Sequence, residues 1–325
     1  MKSFRDMRSL VLLVTLFACS SPANTERTPP TKAPVAEPRI ADSRPRPLPT
    51  LDEVRARVAR DCPKVAAPYF FKVEKAGKVG HILGTRHISV ALTKFPKVVH
   101  DTLDGAARLV FETDPDDPDV APPPPKASLP QQLGPDLWAQ FETLVGTDRA
   151  QLIEGESPAT AFVTMLVINE DLGARLDEEI ISFARRERIP ADGLETHEFQ
   201  AKLLDKLLDL RMLKATIATS SRAQLESEAS SELRQYCAGT DSTPGLDKVA
   251  RDGLRKSGYS DAELDAIDEM VVFERNRNWI PKLEQMFQVP NMVIVVGAGH
   301  LIGNQGVPAM LAARGFKVTR VTPPN

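Results

Sequence analysis

Histidine is scarce in this chain, with five residues among 325, and cysteine is scarcer, with three. Basic residues are not in excess. The 41 Lys and Arg face 44 Asp and Glu, which gives a formal net charge of -3 and a pI near 6.0. The surface therefore lacks the positive footprint of a phosphate-backbone reader, and no nucleic-acid partner is expected. No fixed-period repeat runs through the chain, which argues against a solenoid. The N-terminal apolar run, residues 10–17, is too short to cross a bilayer as a helix. Proline is plentiful instead, with 27 residues gathered at the ends and in one loop.

With so few histidines, their placement carries information. Residues 292–296 form a short β-branched apolar run, which predicts a strand buried on both faces. It ends in Gly297-Ala298-Gly299-His300, followed by Gly303 and Gly306. A helix is expected over residues 307–315, with Pro308 in its first turn and Gly315 past its end, then a closing strand over 316–321. A second apolar strand, near residues 81–83, ends in Gly84-Thr85-Arg86-His87. Two strands each closing on Gly-x-x-His are harder to assign to chance than one. A third, over residues 109–114, carries Glu112 at its end. Strand ends are where open α/β sheets bind ligands. Two imidazoles and a carboxylate there would suit a metal site or an acid/base site.

The first residues read as an export signal. Lys2, Arg5 and Arg8 precede the apolar run, which ends Leu16-Phe17-Ala18-Cys19, similar to a bacterial lipobox. The expectation is a signal peptide over residues 1–18, lipidation of Cys19, and a Pro-rich tether over 19–50. An exported protein anchored to the cell envelope follows, with the outer membrane favoured because no Asp stands at position 20. The alternative is an ordinary signal peptide with Cys19 incidental.

From residue 51 onward the chain reads as one α/β domain. Thr50 is a candidate N-cap for a short helix. A β-hairpin is expected around Ala76-Gly77, and a helix over 95–107 leads into the Glu112 strand. Residues 114–130 form an acidic, Pro-rich loop, expected as a solvated surface rather than a calcium loop, because the spacing of an EF-hand is missing. Residues 129–288 are largely helical, with a leucine-rich stretch over 199–221 and a possible strand over 189–196. The fold class expected is a central β-sheet with a large helical insertion between its N-terminal and C-terminal strands. Cys62 and Cys237 remain once Cys19 is set aside, and in an exported protein they are candidates for a disulfide.

Together, Gly84-x-x-His87, Glu112, Leu194-Glu195-Thr196, Arg275-Asn276 and Gly297-x-x-His300-x-x-Gly303-x-x-Gly306 resemble the TraB/GumN family, which includes the Tiki membrane-linked metalloproteases. The resemblance runs from about residue 65 to the C-terminus. It implies a mixed sheet surrounded by helices, a fold also likened to erythromycin-esterase and ChaN-like haem-binding proteins. It implies an active site built from the two Gly-x-x-His motifs and the glutamate. For Tiki relatives it implies peptide or protein substrates and manganese or cobalt. Arg86 departs from the smaller residues of many relatives, and the Pro-rich loop after Asp114 looks like an insertion.

On this basis His87, Glu112 and His300 are candidate ligands of a divalent metal (Mn, Co or Zn), or an acid/base set acting on water. Arg275 is a candidate polariser of a substrate oxygen, or an ion-pair partner of Glu195 or Glu112. Glu195 is more structural in character, and Asn276 is a candidate to orient a histidine. His81 could face the same cleft, though a core or surface place suits it better. The glycine spacing around Gly297 does not fit a dinucleotide loop. The function expected is a lipid-anchored metal-dependent hydrolase, a peptidase by preference. The alternative is a surface lipoprotein that holds haem or a metal without turnover.

Overall fold

The computed structural model describes residues 47–118, 125–240, 245–246 and 248–322. The signal segment, Cys19, most of the tether and the tip of the Pro-rich loop lie outside the described residues. Within them, six strands form one mixed sheet: β1 (Phe70–Lys75), β2 (Lys78–Thr85), β3 (Arg108–Thr113), β4 (Ala191–Glu195), β5 (Met292–Gly297) and β6 (Lys317–Arg320). Their order is β4-β3-β5-β2-β1-β6. The four strands β4, β3, β5 and β2 run parallel, and β1 pairs antiparallel with both β2 and β6.

The parallel half explains the apolar runs in the sequence. Crossover helices cover both faces of a parallel sheet, so its central strand has no solvent side. Every residue of β5 is buried, and β5 lies between β3 and β2. The β1–β2 hairpin turns at Ala76 and Gly77, with φ of 51° and 77°. Two successive left-handed residues match the twist of the flanking strands.

Helices precede the parallel strands β4 and β5, so the N-terminal turn of each lies towards the carboxyl edge of the sheet. Leu176–Glu187 precedes β4, and Glu274–Met286 precedes β5. Thr50 caps Leu51–Asp61 in a reciprocal capping box with Glu53, as its position in the sequence predicts. The leucine-rich stretch is divided into His197–Leu207 and Leu210–Thr219. Asp209 accepts a bond from the Met212 amide at 2.8 Å and so starts the second helix. The sheet and its covering helices share one apolar core. A second apolar cluster, with Phe141, Met165, Leu213 and Leu264 in it, lies among the inserted helices.

A disulfide joins Cys62, after the first helix, to Cys237 on Arg222–Ala238, with Cα atoms 5.8 Å apart. It fastens the inserted helices to the start of the domain. Among the described residues no helix is long and apolar enough to cross a membrane.

Candidate active site

Strands β2, β3, β4 and β5 run parallel, so their carboxyl ends lie on one edge of the sheet. That edge gathers Thr85 at the end of β2 and His87 after it, Glu112 on β3, Glu195 on β4 and His300 after β5. The close approach of the two motif loops depends on Gly84. A Cβ there would stand 2.6 Å from Tyr69 Cβ and 2.8 Å from Leu301 Cδ1. Gly303 has a φ of 76°, a left-handed conformation that lets the chain turn away after His300.

His87 is oriented by a residue that no motif contains. Its Nδ1 lies 2.8 Å from Asp177 Oδ2, and the other oxygen of Asp177 accepts from Thr85 Oγ1 at 3.0 Å. A carboxylate accepts, so Nδ1 carries the proton and Nε2 is the basic edge of the neutral ring. Asp177 stands in the first turn of Leu176–Glu187, where the helix dipole favours negative charge. Burial pulls the His87 pKa down, but the charge and hydrogen bond of Asp177, with Glu112 beyond, leave it raised.

His300 has the opposite character. Its Nδ1 lies 2.7 Å from Asn276 Oδ1, while Asn276 Nδ2 donates to the His300 carbonyl at 3.2 Å and to the Gln305 carbonyl at 2.9 Å. Arg275 Nη1 lies 3.1 Å from Nε2. A guanidinium can only donate, so Nε2 is the acceptor and the ring is the neutral Nδ1–H tautomer. Burial and the Arg275 charge pull its pKa down to about 3, despite the carboxylate of Glu112. The Trp279 ring covers it, with centroids 4.4 Å apart.

Glu112 and Arg275 complete the cluster. Glu112 Oε1 accepts from the Gly297 amide at 2.6 Å, and Oε2 accepts from Arg275 Nη2 at 2.6 Å. Burial pushes this carboxyl up, but Arg275, the two histidines and the Gly297 amide outweigh it and hold it well below the usual carboxylate range. Arg275 also donates to Glu195 through Nε and Nη2, and to the Val271 carbonyl through Nη1. Glu195 takes a further bond from Trp279 Nε1 at 2.8 Å. Val271 belongs to Glu269–Phe273, a π-helical turn that runs directly into the helix carrying Arg275 and Asn276.

The edge thus unites His87, Glu112, Glu195, Arg275, Asn276 and His300 as the sequence suggests, but it redistributes their roles. Arg275 has five N–H groups, and acceptors stand at all five: Glu195 twice, Glu112, His300 and Val271. In this arrangement no donor is left to polarise a substrate oxygen, so the ion-pair alternative is the one realised. Of the two motif histidines, His87 keeps 7% exposure and His300 only 1%. His81 does not join them. It stacks on Phe70 at 5.2 Å, back along the hairpin.

The sequence also suggests His87, Glu112 and His300 as ligands of a divalent metal. His300 Nε2 lies 3.8 Å from Glu112 Oε1, so two of the proposed ligands do converge. However, Arg275 already occupies the lone pair of that nitrogen and one oxygen of Glu112, and the Gly297 amide occupies the other. A dication would have to enter beside a guanidinium and displace it from both ligands. As arranged, the set does not suit one. Among the described residues no group of three or more His, Cys, Asp or Glu is arranged to hold a metal ion.

Three partners escaped the sequence reading: Asp177, Gln200 and Trp279. Asp177 begins the run Asp177-Glu178-Glu179, which reads equally as an ordinary acidic first turn. Gln200 donates to Glu112 and Glu195, both at 3.3 Å. Trp279, four residues after Arg275, is the one with a usable signal, because that spacing puts both on one helix face. A cavity of about 400 Å3 opens beside Glu195 and Trp279, bordered by Asp114, Asp117, Phe199 and Lys282.

Neither a curated protein nor a solved structure matches the chain. The model of the TraB/PrgY/gumN family matches residues 69–320, a span that takes in β1 to β6 and all six residues gathered at the edge. By that match, which covers well over half of its length, this chain belongs to the TraB/PrgY/gumN family.

Proposed function

We propose that this chain is a hydrolase, a peptidase by preference, in which the His87–Asp177 pair activates water. The observation that carries the reading is the 2.8 Å contact between His87 Nδ1 and Asp177, made by the less deeply buried of the two motif histidines. Asp177 holds the ring in the tautomer whose Nε2 accepts a proton and stabilises the imidazolium once formed. Water attacks the scissile carbonyl carbon as Nε2 takes its proton. The same proton then passes to the leaving amine as the C–N bond breaks. His300, Arg275, Glu112 and Glu195 act beside this pair as a rigid charged support. The cavity next to Glu195 and Trp279, with Phe199 at its rim, opens on the Glu195 side of this support.

The test is turnover of a mixed fluorogenic peptide library by the chelator-dialysed protein. Cleavage is expected to persist without metal and to be lost in His87→Gln. A strict requirement for manganese, cobalt or zinc would overturn the metal-free mechanism and restore the metal-dependent alternative. Unchanged turnover in His87→Gln would remove the site altogether.

Anchoring at Cys19 belongs to the same proposal. The lipobox-like sequence supports it, and the Cys62–Cys237 disulfide supports an oxidising compartment. Labelled palmitate should enter the full-length protein and fail to enter Cys19→Ser. Equal labelling of both would refute the anchor.

A further inference from the structure

The loop that carries His87 is held from two directions by one short stretch of chain, residues 170–177, which runs from the end of Pro158–Val167 into the first turn of Leu176–Glu187. Thr85 and His87 meet Asp177, at 3.0 and 2.8 Å. Arg86 and Ser89 meet Glu170 instead. Arg86 Nη2 donates to Glu170 Oε1 at 2.6 Å, and Ser89 Oγ donates to Glu170 Oε2. Ser89 Oγ in turn accepts from the Asp171 amide at 2.8 Å, and the Ser89 amide donates to the Asp171 carbonyl at 3.3 Å. His87 therefore stands between two residues fastened to one carboxylate.

This second attachment is built into the interior. Ser89 is fully buried, and Arg86 and Glu170 are each only 8% exposed. A carboxylate bonded through both oxygens in such a place has little freedom to move. Ser89 also has a φ of 66°, a left-handed conformation that is uncommon for serine and persists only where its surroundings hold it. Arg86 makes a longer contact, 3.5 Å, with Glu232 on Arg222–Ala238. From the same helix Tyr236 Oη donates to the Gly84 carbonyl at 2.9 Å, so the motif is fixed at its start as well as past its end.

We propose that Glu170 is a positioning residue for His87. By holding Arg86 and Ser89 it sets the backbone from which the imidazole reaches Asp177. It acts through the loop and is assigned no contact with a reacting atom. The inference rests on the hydrolase reading for its effect on rate, while the contact it controls, His87 with Asp177, can be measured without turnover. A merely structural ion pair would leave that contact unchanged in any folded variant.

Proton NMR of the full chain tests the proposal. The Nδ1–H of His87, shared with Asp177, is expected as a downfield resonance, identified by its absence from His87→Gln. Glu170→Ala should remove or strongly weaken that resonance and lower kcat about 100-fold, with KM little changed. Glu170→Gln should restore the resonance and most of the rate, because its carbonyl can accept from Arg86 while its amide donates to Ser89 Oγ. That rescue separates position from charge. If Glu170→Ala does not fold, Ser89→Gly, which suits the left-handed backbone and removes only the hydroxyl, should weaken the resonance in the same way. A resonance absent from the wild-type protein, unchanged in folded Glu170→Ala or Ser89→Gly, or lost in Glu170→Gln as fully as in Glu170→Ala would each overturn the proposal. A wild-type protein without turnover, whose resonance still depends on Glu170, would refute the hydrolase reading and uphold the positioning role.

Discussion

Arg275 Nη1 donates to His300 Nε2 across 3.1 Å, while Nη2 of the same side chain donates to Glu112 Oε2 at 2.6 Å. One guanidinium thus ties the imidazole after β5 to the carboxylate of β3. Because guanidinium only donates, it also fixes the tautomer of His300 and keeps that ring neutral. His87, with its own carboxylate, has its pKa raised instead.

Removing this guanidinium should be severe. Arg275→Met leaves Glu112 and Glu195 buried without their counter-charge, at a cost of about 3–5 kcal/mol by urea unfolding. Arg275→Lys keeps the charge but not the planar fork, and should lie between the two. A loss below about 1 kcal/mol in Arg275→Met would mean that the network is not holding the edge together.

Asp177→Asn separates orientation from charge. The His87 pKa is raised chiefly through Asp177 acting against burial, so the acidic limb of the rate profile should move to lower pH in the variant. A positioned general base contributes about 10²–10⁴ in rate, and kcat should fall within that range while the circular dichroism spectrum stays unchanged. An unmoved limb would show that His87 is not the titrating base.

Acid should destabilise the fold in a defined window. His300 takes up a proton near pH 3 when folded, against 6.5 ordinarily, so between those values the unfolded chain binds more protons and stability falls as pH drops. Glu112, depressed from 4.5, adds a loss below that value. His87 works the other way: its contribution is complete below 6.5 and is lost as pH rises through its raised folded value. From pH 6.5 to 4.5 the net decline should be on the order of 2 kcal/mol, and His300→Gln should flatten it. A pH-independent unfolding curve over this window would contradict the neutral assignment of His300.

The disulfide closes a sequence separation of 175 residues, so reduction should cost about 2–5 kcal/mol. Thermal unfolding with and without reductant checks this, and an unchanged Tm would show that the bridge adds no constraint.

Gly84→Ala should act at a distance from the chemistry. The added methyl meets Tyr69 Cβ and Leu301 Cδ1 at under 3 Å, which forces the two motif loops apart and costs about 1–3 kcal/mol. Turnover should fall more than stability alone explains, and an undisturbed variant would show that the loops tolerate separation.

Much of this arrangement is legible before any coordinates. The apolar runs of β2, β3 and β5 mark strands with no solvent face, and each leads into a polar residue at its carboxyl end. That pattern identifies His87, Glu112 and His300 as neighbours on one edge. It cannot show what lies between them. The five acceptors of Arg275 come from four different segments, and only their docking shows that none of its donors remains for a substrate.

The amino-acid sequence by itself determined the strands, their ends and the residue types placed there, because alternation, β-branching and glycine act over a few neighbours. Tertiary structure alone gave His87 its partner Asp177 and decided which histidine Asn276 orients. Asp177 and Asn276 reach His87 and His300 from helices that are placed by packing against the sheet. A hydrogen bond between elements some 90 residues apart, as for His87 and Asp177, leaves no periodic trace in either segment. Yet it is these partners, through charge and burial, that make one histidine basic and the other inert.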